Sequence, residues 1–156
     1  MFLLPEALKS RAAALGEAFV GSLTMGAGQF CTNPGLVIAE KSEGLDAFVA
    51  AAGEAVKGAA AQTMLTPGIY DAYSKGVDSL VASDKAREVA RGPAGDGPNA
   101  CQAGLFVASA EDFLTDEALQ AEVFGATSLV VECADQTRSS AWQNTWKSAD
   151  RHPADG

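Results

Sequence analysis

The sequence has a single histidine, His152, and three cysteines, Cys31, Cys101 and Cys133, that lie far apart with no CxxC pair. That leaves no zinc framework and no disulfide scaffold, so no metal site is expected and a reducing cytoplasm fits best. Basic residues are scarce: 11 Lys and Arg stand against 20 Asp and Glu, for a net charge of −9. A chain this acidic repels a phosphate backbone and an anionic bilayer, so neither nucleic acid nor membrane is an expected partner. No apolar run approaches the roughly 20 residues that span a bilayer. The opening MFLLP is apolar but has no basic residue before it, and the EALKSRAAALGEAF that follows is amphipathic, so a signal peptide is not expected. What is present is 156 residues of ordinary globular composition, 47% hydrophobic and 20% charged, enough for one compact domain.

Periodicity organises the chain. Pro5 can open a helix at its first position, and Leu8, Ala12, Leu15, Phe19 and Leu23 then make one apolar stripe. Gly26 and Gly28 end it, and GAGQFCTNPG (Gly26 to Gly35) reads as an irregular loop closed by an Asn33-Pro34-Gly35 turn. Leu36 to Ala39 reads as a buried strand. A second helix is predicted from about Leu45 to Ala61. A third starts near Pro67 with Thr66 as its N-cap and carries Tyr70, Tyr73, Val77 and Leu80. Short strands are predicted at Glu88 to Arg91, Ala103 to Ser109 and Ser128 to Val131, with a loop at Gly92 to Asn99 and a helical or turn-like stretch at Asp112 to Phe124. Strands alternating with helices imply an α/β fold with parallel pairings. The last twenty residues, with both tryptophans and no aliphatic larger than alanine, are not expected to pack into the core.

Cys31 is the first candidate for chemistry. It follows a helix and a glycine-rich bend and precedes Thr32, Asn33 and a Pro-Gly turn. Glycines let backbone approach a ligand closely, and backbone N–H groups beside a thiol favour its thiolate and stabilise an oxyanion. A lone cysteine is more often a small buried hydrophobe, which is the reading for Cys101 and Cys133 beside or within apolar strands. A Cys/His dyad is improbable because His152 sits in the polar tail, so any base for Cys31 is a carboxylate or lies outside this chain. Glu122 is the other candidate. Most glutamates are solvated helix residues, but this one stands just before Phe124-Gly125 and a buried strand, where a turn can aim it into a cleft.

These two segments carry a family resemblance. GQFCTNPG (Gly28 to Gly35) resembles the catalytic-cysteine motif of the aldehyde dehydrogenase superfamily, and AEVFGATSLVV (Ala121 to Val131) resembles its E-x-F-G-P motif, with Ala126 where the family has proline. SLTMGAGQFCTNPG and GPNACQAGLFVASAEDFL are similar to the subgroup of α-ketoglutaric semialdehyde (2,5-dioxovalerate) dehydrogenases and NADP-dependent fatty aldehyde dehydrogenases. The resemblance runs from about residue 2 to 135 and implies part of a catalytic domain, α/β with a mostly parallel sheet flanked by helices, over residues 1–135. It implies Cys31 as the nucleophile that attacks an aldehyde, its backbone N–H as part of the oxyanion hole, and Glu122 and Phe124 as contacts of the nicotinamide riboside of NADP or NAD. Gln29, Phe30 and Thr32 would line the aldehyde channel.

The same resemblance implies what stands elsewhere. In the family the cofactor domain, the general-base glutamate and the asparagine completing the oxyanion hole precede the segment that MFLLPEAL resembles. Without the base, proton transfer slows by about 10² to 10⁴. The chain is therefore expected to be an enzyme fragment, inactive alone or one half of a split enzyme that works with a missing N-terminal half or as a homo-oligomer. Residues 136–156 lack the expected family text, and shifted codons for residues 141–147 and 149–154 permit it, so an out-of-frame tail is expected.

Overall fold

The computed structural model describes residues 1–134, so the tail, His152 and both tryptophans lie outside the described residues. A two-residue strand, β1 (Phe2–Leu3), leads into α1 (Pro5–Thr24) and a 3-10 turn (Met25–Gly28). Then follow β2 (Leu36–Glu40), α2 (Glu43–Gly58), β3 (Gln62–Thr63), α3 (Pro67–Ala82) and β4 (Ala86–Arg91). The chain continues through β5 (Ala100–Cys101), β6 (Gly104–Ser109), α4 (Ala110–Thr115), α5 (Glu117–Gln120) and β7 (Thr127–Cys133). Among the described residues no helix is long and apolar enough to cross a membrane.

The main sheet runs β1-β2-β7-β6-β4, parallel except for β4, which pairs antiparallel with β6 through a bulge between Glu88 and Ala90. The α/β architecture with a mostly parallel sheet is as the sequence predicts. The central strands are buried on both faces, as parallel strands covered by helices must be: Val37, Leu105, Phe106, Val130 and Val131 are all inaccessible to solvent. Side-chain alternation and the parallel register put Leu36, Ile38, Thr127 and Leu129 on one face. The α1–α2 pair covers the other. These two helices approach closely because Gly16 has no side chain: a Cβ there would stand 2.6 Å from the Phe48 carbonyl oxygen. Phe19 and Phe48 meet edge-to-face at 5.3 Å in the same interface.

Local chemistry explains the element ends. Ser42 caps α2 by accepting from the Leu45 N–H, so that helix begins at Glu43, and its Ala59 end is already extended. Thr66 caps α3, its hydroxyl accepting from the Ile69 N–H at 3.2 Å, with Pro67 at the first position. The stretch Asp112 to Phe124 resolves into two short helices capped by Ser109 and Asp116, and the chain is non-helical from residue 121 until β7. The two-residue strands β1, β3 and β5 carry no period of their own and exist through their partners.

Candidate functional site

The two segments that resemble catalytic motifs each lead into a strand, and those strands, β2 and β7, are parallel neighbours. Their entry ends therefore lie side by side. Leu36 pairs with Leu129, the Leu129 N–H donates to the Gly35 carbonyl at 2.9 Å, and the buried Ser128 hydroxyl donates to the Pro34 carbonyl at 2.7 Å. Residues remote in sequence are thus held together by strand register, which loop chemistry alone could not specify.

The nucleophile-like loop is built from left-handed backbone. Gly26, Ala27 and Gly28 take φ of 56°, 58° and 69°, a run that L-residues other than glycine rarely enter. Ala27 is held there by its N–H, which donates to Gln62 Oε1 at 2.9 Å. Gly28 is required for a second reason: a Cβ on it would come within 2.5 Å of the Ala126 nitrogen and closer still to the Gly125 carbonyl. The two motifs touch backbone to backbone at this point. The loop then turns at Cys31 and Thr32, with the Asn33 N–H bonded to the Phe30 carbonyl at 3.0 Å. Asn33 Nδ2 donates to the Leu23 carbonyl at 2.9 Å, closing the end of α1 onto the loop. Cys31 is exposed at the tip, and its N–H donates to no acceptor among the described residues. Cys101 and Cys133 are buried, and burial pushes the Cys101 thiol above its ordinary range.

Cys31 faces a cleft of about 660 Å³. Phe30, Glu122 and Phe124 line it with Cys31; Leu36, Leu129 and Thr127 form its floor, and Leu80, Phe113 and Leu119 wall it from α3, α4 and α5. Phe30 and Phe124 are large apolar side chains left 50% and 42% exposed at the rim. Glu122 is the only acidic side chain on the wall, and no lysine or arginine lines it among the described residues. So the structure brings Cys31, Phe30, Glu122 and Phe124 to one cavity. It does not bring Gln29 or Thr32 there. Gln29 is spent on the scaffold, its amide donating to the Gly26 carbonyl and accepting from the Leu65 N–H at 3.0 Å. Thr32 occupies the exposed turn.

Beneath the Gly125 corner lies a polar pair that periodicity concealed. Tyr73, taken from sequence only as an apolar position of α3, is 4% exposed, and Thr127 is 2% exposed. The Tyr73 hydroxyl donates to the Gln102 carbonyl at 2.5 Å. Its single proton is committed there, so the Thr127 hydroxyl, 2.6 Å away, donates to the Tyr73 oxygen. Burial pushes the Tyr73 phenol up to about 12, the Thr127 bond partly offsetting it. The signal available in sequence was a tyrosine, not a phenylalanine, on the buried face of a helix.

Over 135 residues the chain is 45% identical to alpha-ketoglutaric semialdehyde dehydrogenase 2 of Azospirillum brasilense, a match covering 85% of this chain and 25% of that protein. Its homologues are aldehyde dehydrogenases. The chain spans about a quarter of the length of that curated relative. No family model matches it. Among solved structures it superposes on methylmalonate-semialdehyde dehydrogenase of Oceanimonas doudoroffii with a TM-score of 0.72 at 17% identity, covering 90% of this chain and 30% of that one. It superposes on PnpE in complex with nicotinamide adenine dinucleotide with the same TM-score, identity and coverage. At that identity these two likenesses are of fold alone, and the fold is that of an aldehyde dehydrogenase segment.

Proposed function

We propose that this chain supplies the nucleophile-bearing wall of a site that oxidises an aldehyde to a carboxylic acid with NAD or NADP. One observation carries the reading: the exposed Cys31 and the Glu122–Phe124 turn, remote in sequence, share one cleft because Gly28 rests on Gly125.

The chain's own residues have defined tasks. Cys31 Sγ, as thiolate, adds to the aldehyde carbonyl and forms a thiohemiacetal. The Cys31 N–H, which has no acceptor among the described residues, would donate to the developing oxyanion. Loss of hydride from the thiohemiacetal carbon leaves a thioester on Cys31. Water attack on that carbonyl releases the carboxylic acid and restores the thiolate, the remaining water proton passing to solvent. A nicotinamide held in the cleft would supply the hydride acceptor. The wall fits the nicotinamide end of such a cofactor: Glu122 offers a carboxylate to ribose hydroxyls, and Phe124 offers a half-exposed ring to pack beside it. It does not offer the phosphates a lysine, an arginine or a glycine-rich helix start on this wall among the described residues. The relative's name supports a semialdehyde such as 2,5-dioxovalerate as substrate, and the exposed Cys31 thiol suits the cytoplasm.

A second reading, action together with a polypeptide that brings the cofactor's phosphate site and the general base, is favoured by the exposed rim of Phe30 and Phe124. One experiment covers both. The chain is incubated with NADP or NAD and 2,5-dioxovalerate while reduced nicotinamide absorbance is followed, with and without the upstream polypeptide of the relative. Turnover that depends on Cys31 supports the proposal. Turnover equal in a Cys31→Ala variant, with or without the added polypeptide, overturns it.

A further inference from the structure

Tyr73 is a buried titratable group for which the chemistry above has no use. It nevertheless touches both ends of the corner on which that chemistry depends, Gly125 and Thr127. We propose that Tyr73 is a positioning residue of the cleft: its ring and hydroxyl hold the Gly125–Thr127 corner against Gly28, and through the corner they set Glu122 and Phe124 relative to Cys31. The functional half of this proposal rests on the reading of Cys31, Glu122 and Phe124 just given. The structural half rests on geometry alone.

Three contacts carry it. The ring abuts the Gly125 α-carbon so closely that a Cβ there would stand 2.6 Å from Tyr73 Cε2. The hydroxyl bridges Gln102 and Thr127, pinning the first residue of β7 to the loop before β6. On its other side the Thr127 hydroxyl fills the space left by Gly104, where a Cβ would come within 2.9 Å of it. The corner is also tied within itself, the Thr127 N–H donating to the Gly125 carbonyl at 2.8 Å and the Gly104 N–H to the Ala126 carbonyl at 2.9 Å. Gly28 leans on the same atoms from the nucleophile side. Phenylalanine at position 73 would keep the ring and strand the buried Thr127 hydroxyl and the partly buried Gln102 carbonyl. Buried groups without partners drive local rearrangement, and a small displacement at a reacting centre slows it out of proportion to its size.

The test uses the whole chain and four variants: Tyr73→Phe, Thr127→Val, the double variant, and Tyr70→Phe as a control on the same helix. The first readout needs no cofactor. p-Nitrophenyl acetate acylates Cys31 Sγ, the thiolate bonding to the acetyl carbon as p-nitrophenolate leaves, and the rate is measured against reagent concentration and pH at temperatures far below melting. Tyr73→Phe and Thr127→Val are each expected to slow the acylation step about tenfold. The double variant should be no slower than either single, and Tyr70→Phe should match wild type. A Tyr73→Phe protein that melts earlier but acylates Cys31 at the wild-type rate across the pH range has lost structure only, and overturns the proposal. The second readout is hydrogen exchange at the Thr127 amide, expected at least tenfold faster in Tyr73→Phe while Leu129 to Val131 are unchanged. Unchanged exchange at Thr127 likewise overturns it. Faster exchange in a protein whose wild type shows no acylation of Cys31 refutes the nucleophile reading and upholds the hold on the corner.

Discussion

Gly28→Ala is the most informative single change in this molecule. It adds one methyl group where two independent effects oppose it. The backbone at position 28 has φ of +69°, so an alanine there pays the left-handed penalty of about 1–2 kcal/mol. The new Cβ also meets the Gly125–Ala126 peptide, which is backbone and cannot swing aside as a flexible side chain would. Overpacking of that kind costs about 1–3 kcal/mol. Together the loss is about 2–5 kcal/mol, a large part of the stability of a domain this size. Gly21→Ala is the matched control. Gly21 lies inside α1 with nothing within 4 Å of an added Cβ, so the change should stabilise by up to about 1 kcal/mol through helix propensity. Urea unfolding of both proteins, followed by circular dichroism, gives the two midpoints and slopes. A Gly28→Ala protein within about 0.5 kcal/mol of wild type would show that the two motifs do not rest on each other.

Other perturbations test other parts of the description. Iodoacetamide should label exposed Cys31 well before the buried Cys101 and Cys133, as read by mass mapping after a short pulse; equal labelling of all three would mean the loop does not stand as described. Cys31→Ala should leave the unfolding midpoint nearly unchanged, because an exposed thiol contributes little packing. Ser42→Ala should destabilise by about 0.5–2 kcal/mol through loss of the α2 cap, again by urea titration. The Tyr73 phenol is held up at about 12 against an ordinary 10, so in the pH interval between them the folded chain binds the proton that the unfolded chain has released. Stability should therefore be intact below pH 10 and fall as the pH rises towards 12, and in Tyr73→Phe that portion of the decline should disappear.

Long elements with a clear period were legible in the sequence; elements made by tertiary pairing were not. The apolar stripe of α1, the Thr66-Pro67 start of α3 and the aliphatic runs of β2, β6 and β7 each carry their own signal over several residues. β1, β3 and β5 carry two residues each and are strands only because Ile38, Cys101 and Gln62 lie opposite them. The site divided along the same line. Residue type and local turn chemistry picked out Cys31 and Glu122, and the cleft holds both. The resemblance also implied Gln29 and Thr32 for the aldehyde channel; neither lines this cleft, because neighbours in a tight turn point in different directions and the Gln29 amide turns back to Gly26 and Leu65.

The parallel pairing of β2 and β7 also says what kind of damage the site can absorb. Cys31 lies five residues before β2 and Glu122 five before β7, both counted from the first residue of the strand (31 to 36, and 122 to 127). Each is carried on a short irregular arm that leads into the same end of the sheet, so their relative placement depends on strand register and on the Gly28–Gly125 contact. Exposed positions on the arms should tolerate change. A one-residue insertion between Ala126 and Leu129 should not, because it would shift Thr127 off Tyr73 and turn alternate side chains of β7 to the opposite face. Inserting alanine after Thr127 is therefore expected to abolish cooperative unfolding or any acylation of Cys31 by p-nitrophenyl acetate, whereas the same insertion after Asp96, in the exposed loop before β5, should leave both within twofold of wild type. Equal tolerance of the two insertions would refute the claim that register, not loop chemistry, assembles this cleft.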